Sequence, residues 1–371
     1  MPKKIKTFDL TLLIAPILLV LIGLSVIYSL LVISGNNSVV VRQVVFFLIG
    51  SVALVLASFF DYRFFRGTSW IFYIISIILL ILVDMFGKVT NGSQNWLDLK
   101  VFQLQPSEIA KIFLICALAS FFSERIGNIR WRDIFISFLL LIVPLFLIIK
   151  EPDFGSALVL CFIYIVMLFV ARPSKIQSSI ISFGISIFCI VVALSVLNVK
   201  PFGNLLHDYQ RSRILVFINP DLDPLGRGYN VKQAQITIGS GGILGKGLGK
   251  GTQSQLQFLP EANTDFIFAG IAESYGFVGS FVVIALYLLL FSKLIDTANL
   301  SRDNFGLLIC FGVAAMFFVH VLINIGMNVG LMPVTGIPLP FLSSGGTSLI
   351  VSLFSIGLIE SIYIRHKKIT F

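Results

Sequence analysis

The segment PEANTDFIFAG, residues 260–270, sets carboxylates at the mouth of an apolar run: Glu261 and Asp265 stand one helical turn apart, and Glu273 follows two turns beyond Asp265. A helix N-terminus attracts a carboxylate through its unpaired N–H groups, so Asp265 could do no more than complement the dipole. That accounts for Asp265 alone. Glu261 lies beside Pro260 on the same side, and Glu273 is expected about 12 Å deeper at 1.5 Å per residue. Carboxylates opening from an apolar span toward a polar loop suit catalysis or ion coupling at the membrane surface, with a structural role as the alternative.

Three more polar groups interrupt apolar sequence, where a charge costs about 2.5–3.5 kcal/mol at the centre of a span. In QPSEIAKIF, Pro106 opens a helix, Glu108 sits in its first turn, and Lys111 follows on the same face, as an internal ion pair or as substrate-facing groups. In KEPDFGS, residues 150–156, Asp153 caps the next helix or faces a substrate. His320, Asn324 and Asn328 recur every four residues, and the small-xxx-small pair Gly326 and Gly330 favours helix packing for that stripe.

The elements that must hold these groups are membrane helices. The chain is 57% hydrophobic and 12% charged, with mean hydropathy +0.98, more apolar surface than a soluble domain of 371 residues can hide. Spans near the 20 residues a bilayer requires are expected at 11–33, 41–60, 69–87, 106–124, 134–149, 155–171, 177–198, 265–291, 304–330 and 346–364. The fold class is an all-α polytopic bundle of about ten helices forming one domain, 1–371. With the N-terminus inside, inner segments hold Lys3, Lys4, Lys6, Arg63, Arg66, Arg125, Arg130, Arg132, Arg172, Lys175, Lys293, Arg302, Arg365, Lys367 and Lys368. The short outer loops hold only Lys88, Lys100 and Lys150, so both termini are expected in the cytoplasm. The net charge of +9 is mainly this orientation signal, not a nucleic-acid footprint. The first apolar run is too long for a signal peptide and is expected to be a retained span.

The long outer loop, about 199–264, is the irregular part and a candidate functional loop. Its stretch 205–217, LLHDYQRSRILVF, suits a helix lying on the membrane surface. Its glycine cluster GSGGILGKGLGKGTQ, 239–253, fails as a phosphate-binding P-loop because Lys246 and Lys250 are each followed by Gly. It is expected to bend around a substrate or to pack tightly. Cys116, Cys161, Cys189 and Cys310 fall in spans and suit packing, and His207, His320 and His366 are too scattered for a zinc site.

Several long motifs in order carry a resemblance: NGSQNWLDL (91–99), QPSEIAKI (105–112), EPDFGSALV (151–159), YQRSRI (209–214), GSGGILGKG (239–247), GTQSQLQFLPEANTDFIFAGIAE (251–273) and NVGLMPVTGIPLPFLSSGG (328–346). They resemble the shape, elongation, division and sporulation family of bacteria over nearly the whole chain, and GIPLPF is worded like its elongation branch. Departures are Ser344 where relatives often have Tyr, Asn263 where many have His, and Ser274 after the Ala-Glu pair.

The resemblance implies a glycosyltransferase that polymerises Lipid II on the outer face of the bacterial cytoplasmic membrane during cell elongation. Asp265 matches the family's essential aspartate, which implies a general base acting on the acceptor sugar hydroxyl while undecaprenyl pyrophosphate leaves. Arg211 and Arg213 are forked cations suited to that pyrophosphate. Further substrate-binding candidates are Glu261, Trp96, Lys111, Glu108, Asp153 and Ser343, although Trp96 also suits interfacial anchoring. A divalent cation, Mg²⁺ or Mn²⁺, is expected only together with substrate, since no protein-built metal cage is visible. The implied partners are a class B penicillin-binding protein, other elongation-complex proteins and membrane lipid. A Lipid II flippase or transporter, or a non-catalytic scaffold, is the alternative.

Overall fold

The computed structural model describes residues 8–31, 37–90, 93–98, 103–197, 199, 208–256 and 258–366. Lys3, Lys4, Lys6, Lys100, Lys200, His207, Lys367 and Lys368 lie outside the described residues. The membrane helices are α1 (Leu10–Leu31), α2 (Asn37–Phe59), α3 (Phe64–Phe86), α4 (Pro106–Ser123), α5 (Trp131–Lys150), α6 (Phe154–Val170), α7 (Lys175–Val196), then α11 (Ile267–Leu300), α12 (Asn304–Asn328) and α13 (Gly346–Ile364). Among the described residues nine are long and apolar enough to cross a bilayer; α6, at 17 residues, is the shorter tenth. The protein is an all-α, multi-pass membrane protein.

Side-chain caps start these helices where the chain turns. Asp133 accepts from the Arg130 N–H at 3.0 Å below α5, Ser174 and Gln177 form a reciprocal capping box on α7, and Asp303 accepts from the Gly306 N–H at 2.8 Å on α12. The buried centre is α4 with α12 and α13, while α7 is almost wholly exposed. α13 runs along α2 at backbone contact, since a Cβ on Gly357 would stand 2.3 Å from the Leu54 carbonyl.

Two features depart from the sequence reading. A three-stranded antiparallel sheet, β1 (Lys88–Thr90), β2 (Ser93–Asp98) and β3 (Gln103–Leu104), joins α3 to α4, pairing Lys88 with Trp96 and Asp98 with Gln103. The pair Gly326 and Gly330 is not a helix seam: α12 ends at Asn328, Gly330 is left-handed (φ +77°), and the Leu331 N–H closes on the Gly326 carbonyl at 2.7 Å as a helix terminator.

The long loop folds into α8 (Asp208–Ile218), a 3₁₀ turn (Pro220–Leu222), α9 (Arg227–Ser240) and the short α10 (Thr252–Gln255). Its glycine cluster is packed against α11. That helix, 34 residues long, breaks at Gly276 (φ 67°, ψ −161°), a conformation an L side chain rarely adopts. A break orphans N–H groups below it and carbonyls above it, and the loop supplies partners for both. Phe277 N–H donates to the Gly242 carbonyl (2.9 Å) and Val278 N–H to the Ile243 carbonyl (3.1 Å); Lys246 N–H reaches the Glu273 carbonyl (2.9 Å) and Gly247 N–H that of Ser274 (3.0 Å). Gly245 (φ +78°) permits this approach, since a Cβ there would sit 2.3 Å from the Ser274 carbonyl.

Candidate active site

Asp265 does not open a helix. Residues 260–266 form turns, α11 begins at Ile267, and Glu261 has a left-handed backbone (φ +53°). Three consecutive carbonyls here are held from elsewhere in the chain. Ser344 N–H donates to Asn263 O at 2.8 Å, Ser343 Oγ donates to Thr264 O at 2.6 Å, and the amides of Asn324 and Asn328 donate to Asp265 O at 2.9 and 3.1 Å. The backbone that carries Asp265 is therefore fixed by α12 and by the segment before α13.

The Asp265 carboxyl is half-buried. Burial pushes it up to about 7 from an ordinary 3.8; Glu261 and Asp153 push the same way, and the Arg213 guanidinium opposes them. Beside it, Gly336 (φ +76°) leaves open the space where a Cβ would stand 3.4 Å from Asp265 Oδ2. Arg213 is tied to the same wall, donating from NH1 to the Thr335 carbonyl at 3.2 Å. Asp153 caps α6 through the Ser156 N–H at 2.9 Å and also accepts from Gln105 (3.4 Å) and Ser107 (3.3 Å). Next to it, Glu151 is buried, and neither carboxyl oxygen has a hydrogen-bond partner among the described residues; burial, Asp153 and Asp84 push it to about 8.

Other predicted residues are held by partners of their own. Arg211, two residues from Arg213 on α8, turns the other way and donates to the Val196 carbonyl at 3.2 Å. Glu273 is wholly buried, not part of an open cluster: its carboxylate accepts from Lys246 Nζ at 3.0 Å and from the Gln253 N–H at 2.9 Å. Glu108 and Lys111 form a buried pair at 2.6 Å, and Lys111 also donates to His320 Nε2 at 3.0 Å. The Ser343 hydroxyl, buried, donates to Thr264 O and accepts from the Leu339 N–H at 2.8 Å, which makes it part of the backbone clamp. Trp96 lines a neighbouring cleft of about 440 Å³ with Arg42, Gln103, Asn263 and Ser344.

Asn324 and Asn328 are what the helix-packing reading missed. Their spacing of four matched an interhelical stripe, and nothing local in sequence pairs them with residue 265. Among the described residues, no three His, Cys, Asp or Glu side chains gather as a metal site.

Fold and slot together define a multi-pass, all-α membrane protein that presents a carboxylate at the edge of its bundle. Within that class the chain belongs to the family FTSW_RODA_SPOVE, cell cycle protein, whose match covers residues 5–368. It is 38% identical over 373 residues to peptidoglycan glycosyltransferase MrdB of Escherichia coli K12, covering 100% of this chain and 98% of that one. It is 32% identical over 433 residues to peptidoglycan glycosyltransferase RodA of Treponema pallidum, covering 98% and 99%. A solved structure described as the structural coordination of polymerization and crosslinking by a peptidoglycan synthase complex aligns with TM-score 0.82 and 30% identity over 97% of this chain and 98% of that one. The crystal structure of the Thermus thermophilus rod shape determining protein RodA aligns with TM-score 0.71 and 28% identity, over 96% and 97%.

Proposed function

We propose that this chain is a peptidoglycan glycosyltransferase that polymerises Lipid II during cell elongation, with Asp265 as the general base. The observation that carries the reading is the Asp265 carboxyl itself, half-buried at the edge of the bundle beside open space at Gly336, with its proton affinity raised toward neutrality. The acceptor hydroxyl oxygen attacks the anomeric carbon of the donor. Its proton passes to Asp265, the bond from that carbon to the pyrophosphate oxygen breaks, and undecaprenyl pyrophosphate leaves from the opposite face. Arg213, bonded to the Thr335 carbonyl and close enough to act on Asp265, would meet the charge that develops there.

The lysine and arginine distribution supports a slot on the outer side of the cytoplasmic membrane and termini within the cytoplasm. A class B penicillin-binding protein is the partner that would cross-link the strands. Mg²⁺ or Mn²⁺ would arrive on the pyrophosphate as part of the substrate; among the described residues no cluster of three His, Cys, Asp or Glu side chains is available to hold it.

The test is strand synthesis from Lipid II by the purified protein with its transpeptidase partner. A positioned base contributes about 10²–10⁴ in rate, so Asp265→Asn should lose that factor while remaining folded and membrane-inserted. Near-normal strand synthesis by Asp265→Asn rules out the base. Movement of Lipid II across sealed vesicles without polymer would favour a flippase.

A further inference from the structure

We infer that Asn324 is a positioning residue for the reaction: its one side-chain amide sets the width of the slot in which Asp265 meets the acceptor hydroxyl. This rests on Asp265 acting as the base. Asn324 is wholly buried on α12, and Nδ2 carries two hydrogens. One goes to the Asp265 carbonyl at 2.9 Å and the other to the Ile337 carbonyl at 2.8 Å. Those two carbonyls belong to opposite walls. The Asp265 chain bears the base. The facing chain, Thr335 to Ile337, holds Arg213 through the Thr335 carbonyl and opens the space beside Asp265 Oδ2 through the missing side chain of Gly336.

One amide therefore bolts the wall of the base to the wall of the cation, and it cannot turn without losing both bonds; further along, the Ser343 hydroxyl ties the Thr264 carbonyl to the Leu339 N–H. Asn328, one helical turn along, has a different reach. It donates to the Asp265 carbonyl at 3.1 Å and to the Asn324 carbonyl at 2.8 Å, and its Oδ1 accepts from the Ala269 N–H at 3.1 Å. Two of these join α12 to the Asp265 wall and the third stays within α12; of the two asparagines, Asn324 is the one bonded to the Ile337 wall. If the two asparagines were only a packing stripe, their removal would have equivalent effects. If Asn324 sets the gap, its removal changes how base, hydroxyl and Arg213 line up and removal of Asn328 does not.

The consequence is kinetic, because a misplacement of about 1 Å costs on the order of 10² in rate. The experiment compares Asn324→Ala, Asn324→Ser, Asn328→Ala and Asp265→Asn with wild type, each purified with its partner, reading melting temperature, kcat and KM for Lipid II, and the acid limb of the rate. Asn324→Ala should lower kcat about 10²-fold with KM held within about two-fold, while Asn328→Ala loses less than about ten-fold for a similar fall in melting temperature. Its acid limb should move to higher pH as the carboxylate drifts from Arg213. Asn324→Ser, whose hydroxyl can donate to one wall only, should fall between and supplies the reading should the alanine variant not fold. Equal kcat per folded molecule for Asn324→Ala and Asn328→Ala, or an Asn324→Ser indistinguishable from wild type in kcat and acid limb, overturns the inference. Should Asp265→Asn stay active, it is the base assignment that fails; an inactive Asp265→Asn beside a fully active Asn324→Ala rejects the positioning role alone.

Discussion

Replacing Lys246 with Ala tests whether the glycine loop holds the broken helix. Lys246 is about a quarter exposed, and its Nζ donates to Glu273 at 3.0 Å and to the hydroxyls of Ser240 and Thr252 at 2.8 Å each. Glu273 itself is wholly buried, so the substitution removes the cation from a carboxylate that cannot reach water. Breaking a buried pair costs about 3–5 kcal/mol. Partial exposure of the lysine and the retained Gln253 N–H place this case at about 2–3 kcal/mol. Because the loop supplies the backbone partners of α11 around Gly276, the cost should appear as local opening. An opening cheaper by about 2 kcal/mol is roughly thirty times more populated. Limited proteolysis in nanodiscs, with an enzyme that cuts beside Leu244 and Leu248, should therefore speed up by about that factor. Glu273→Gln keeps an oxygen for the Gln253 N–H and lets Lys246 turn to water, so about 1 kcal/mol is expected. Cleavage of Lys246→Ala within about two-fold of wild type would mean that backbone bonds alone hold the loop and that the ion pair is idle.

Only the ionised carboxylate of Asp265 accepts a proton, so turnover should rise with pH through about 7. Glu261→Gln removes a charge that raises the proton affinity and should move this acid limb to lower pH; Arg213→Gln removes the opposing charge and should move it higher while also lowering kcat. Limbs that stay put in both variants would contradict the arrangement. Stability supplies a check independent of turnover. The folded-state value of Asp265 lies above the ordinary 3.8, so its contribution is fully present below that and is lost as pH rises through about 7. Melting temperatures of Asp265→Asn relative to wild type should rise across that window, and a flat difference would refute the raised value.

The spans were legible because lipid imposes a length and a composition that no local conflict can hide: the apolar stretch 155–171 returned as Phe154–Val170 even though it is the shortest of the ten. The break at Gly276 was not legible, since apolar residues run on both sides of it and Gly in a membrane helix is ordinary. Its partner loop lies far off in sequence, Lys246 being 27 residues from Glu273, so no helical or strand period links them. Arg211 and Arg213 could have been separated in part. Two residues apart on a helix point about 200° away from each other, so only one can face a given slot; which one depends on how α8 lies against Thr335. The asparagines illustrate the opposite failure, where a correct local pattern, polar every four residues, concealed a long-range bond to the backbone of Asp265.

Asp265 does not cap α11. A carboxylate that satisfied the first N–H groups of a helix would be stabilised as an anion, its proton affinity lowered, and it would be a poor base. Here the residue before the helix, Phe266, offers no side-chain cap, and the Ala269 N–H is taken by Oδ1 of Asn328 from a different helix. Among the described residues Arg213 lowers the proton affinity of Asp265, against burial, Glu261 and Asp153. Delegating the cap to Asn328 leaves the carboxylate basic and available at the slot. Asp265 accordingly sits two residues before the helix instead of inside its first turn, and the clamp on its segment is made by two side-chain amides, the Ser343 hydroxyl and the Ser344 N–H, which hold carbonyls without adding charge.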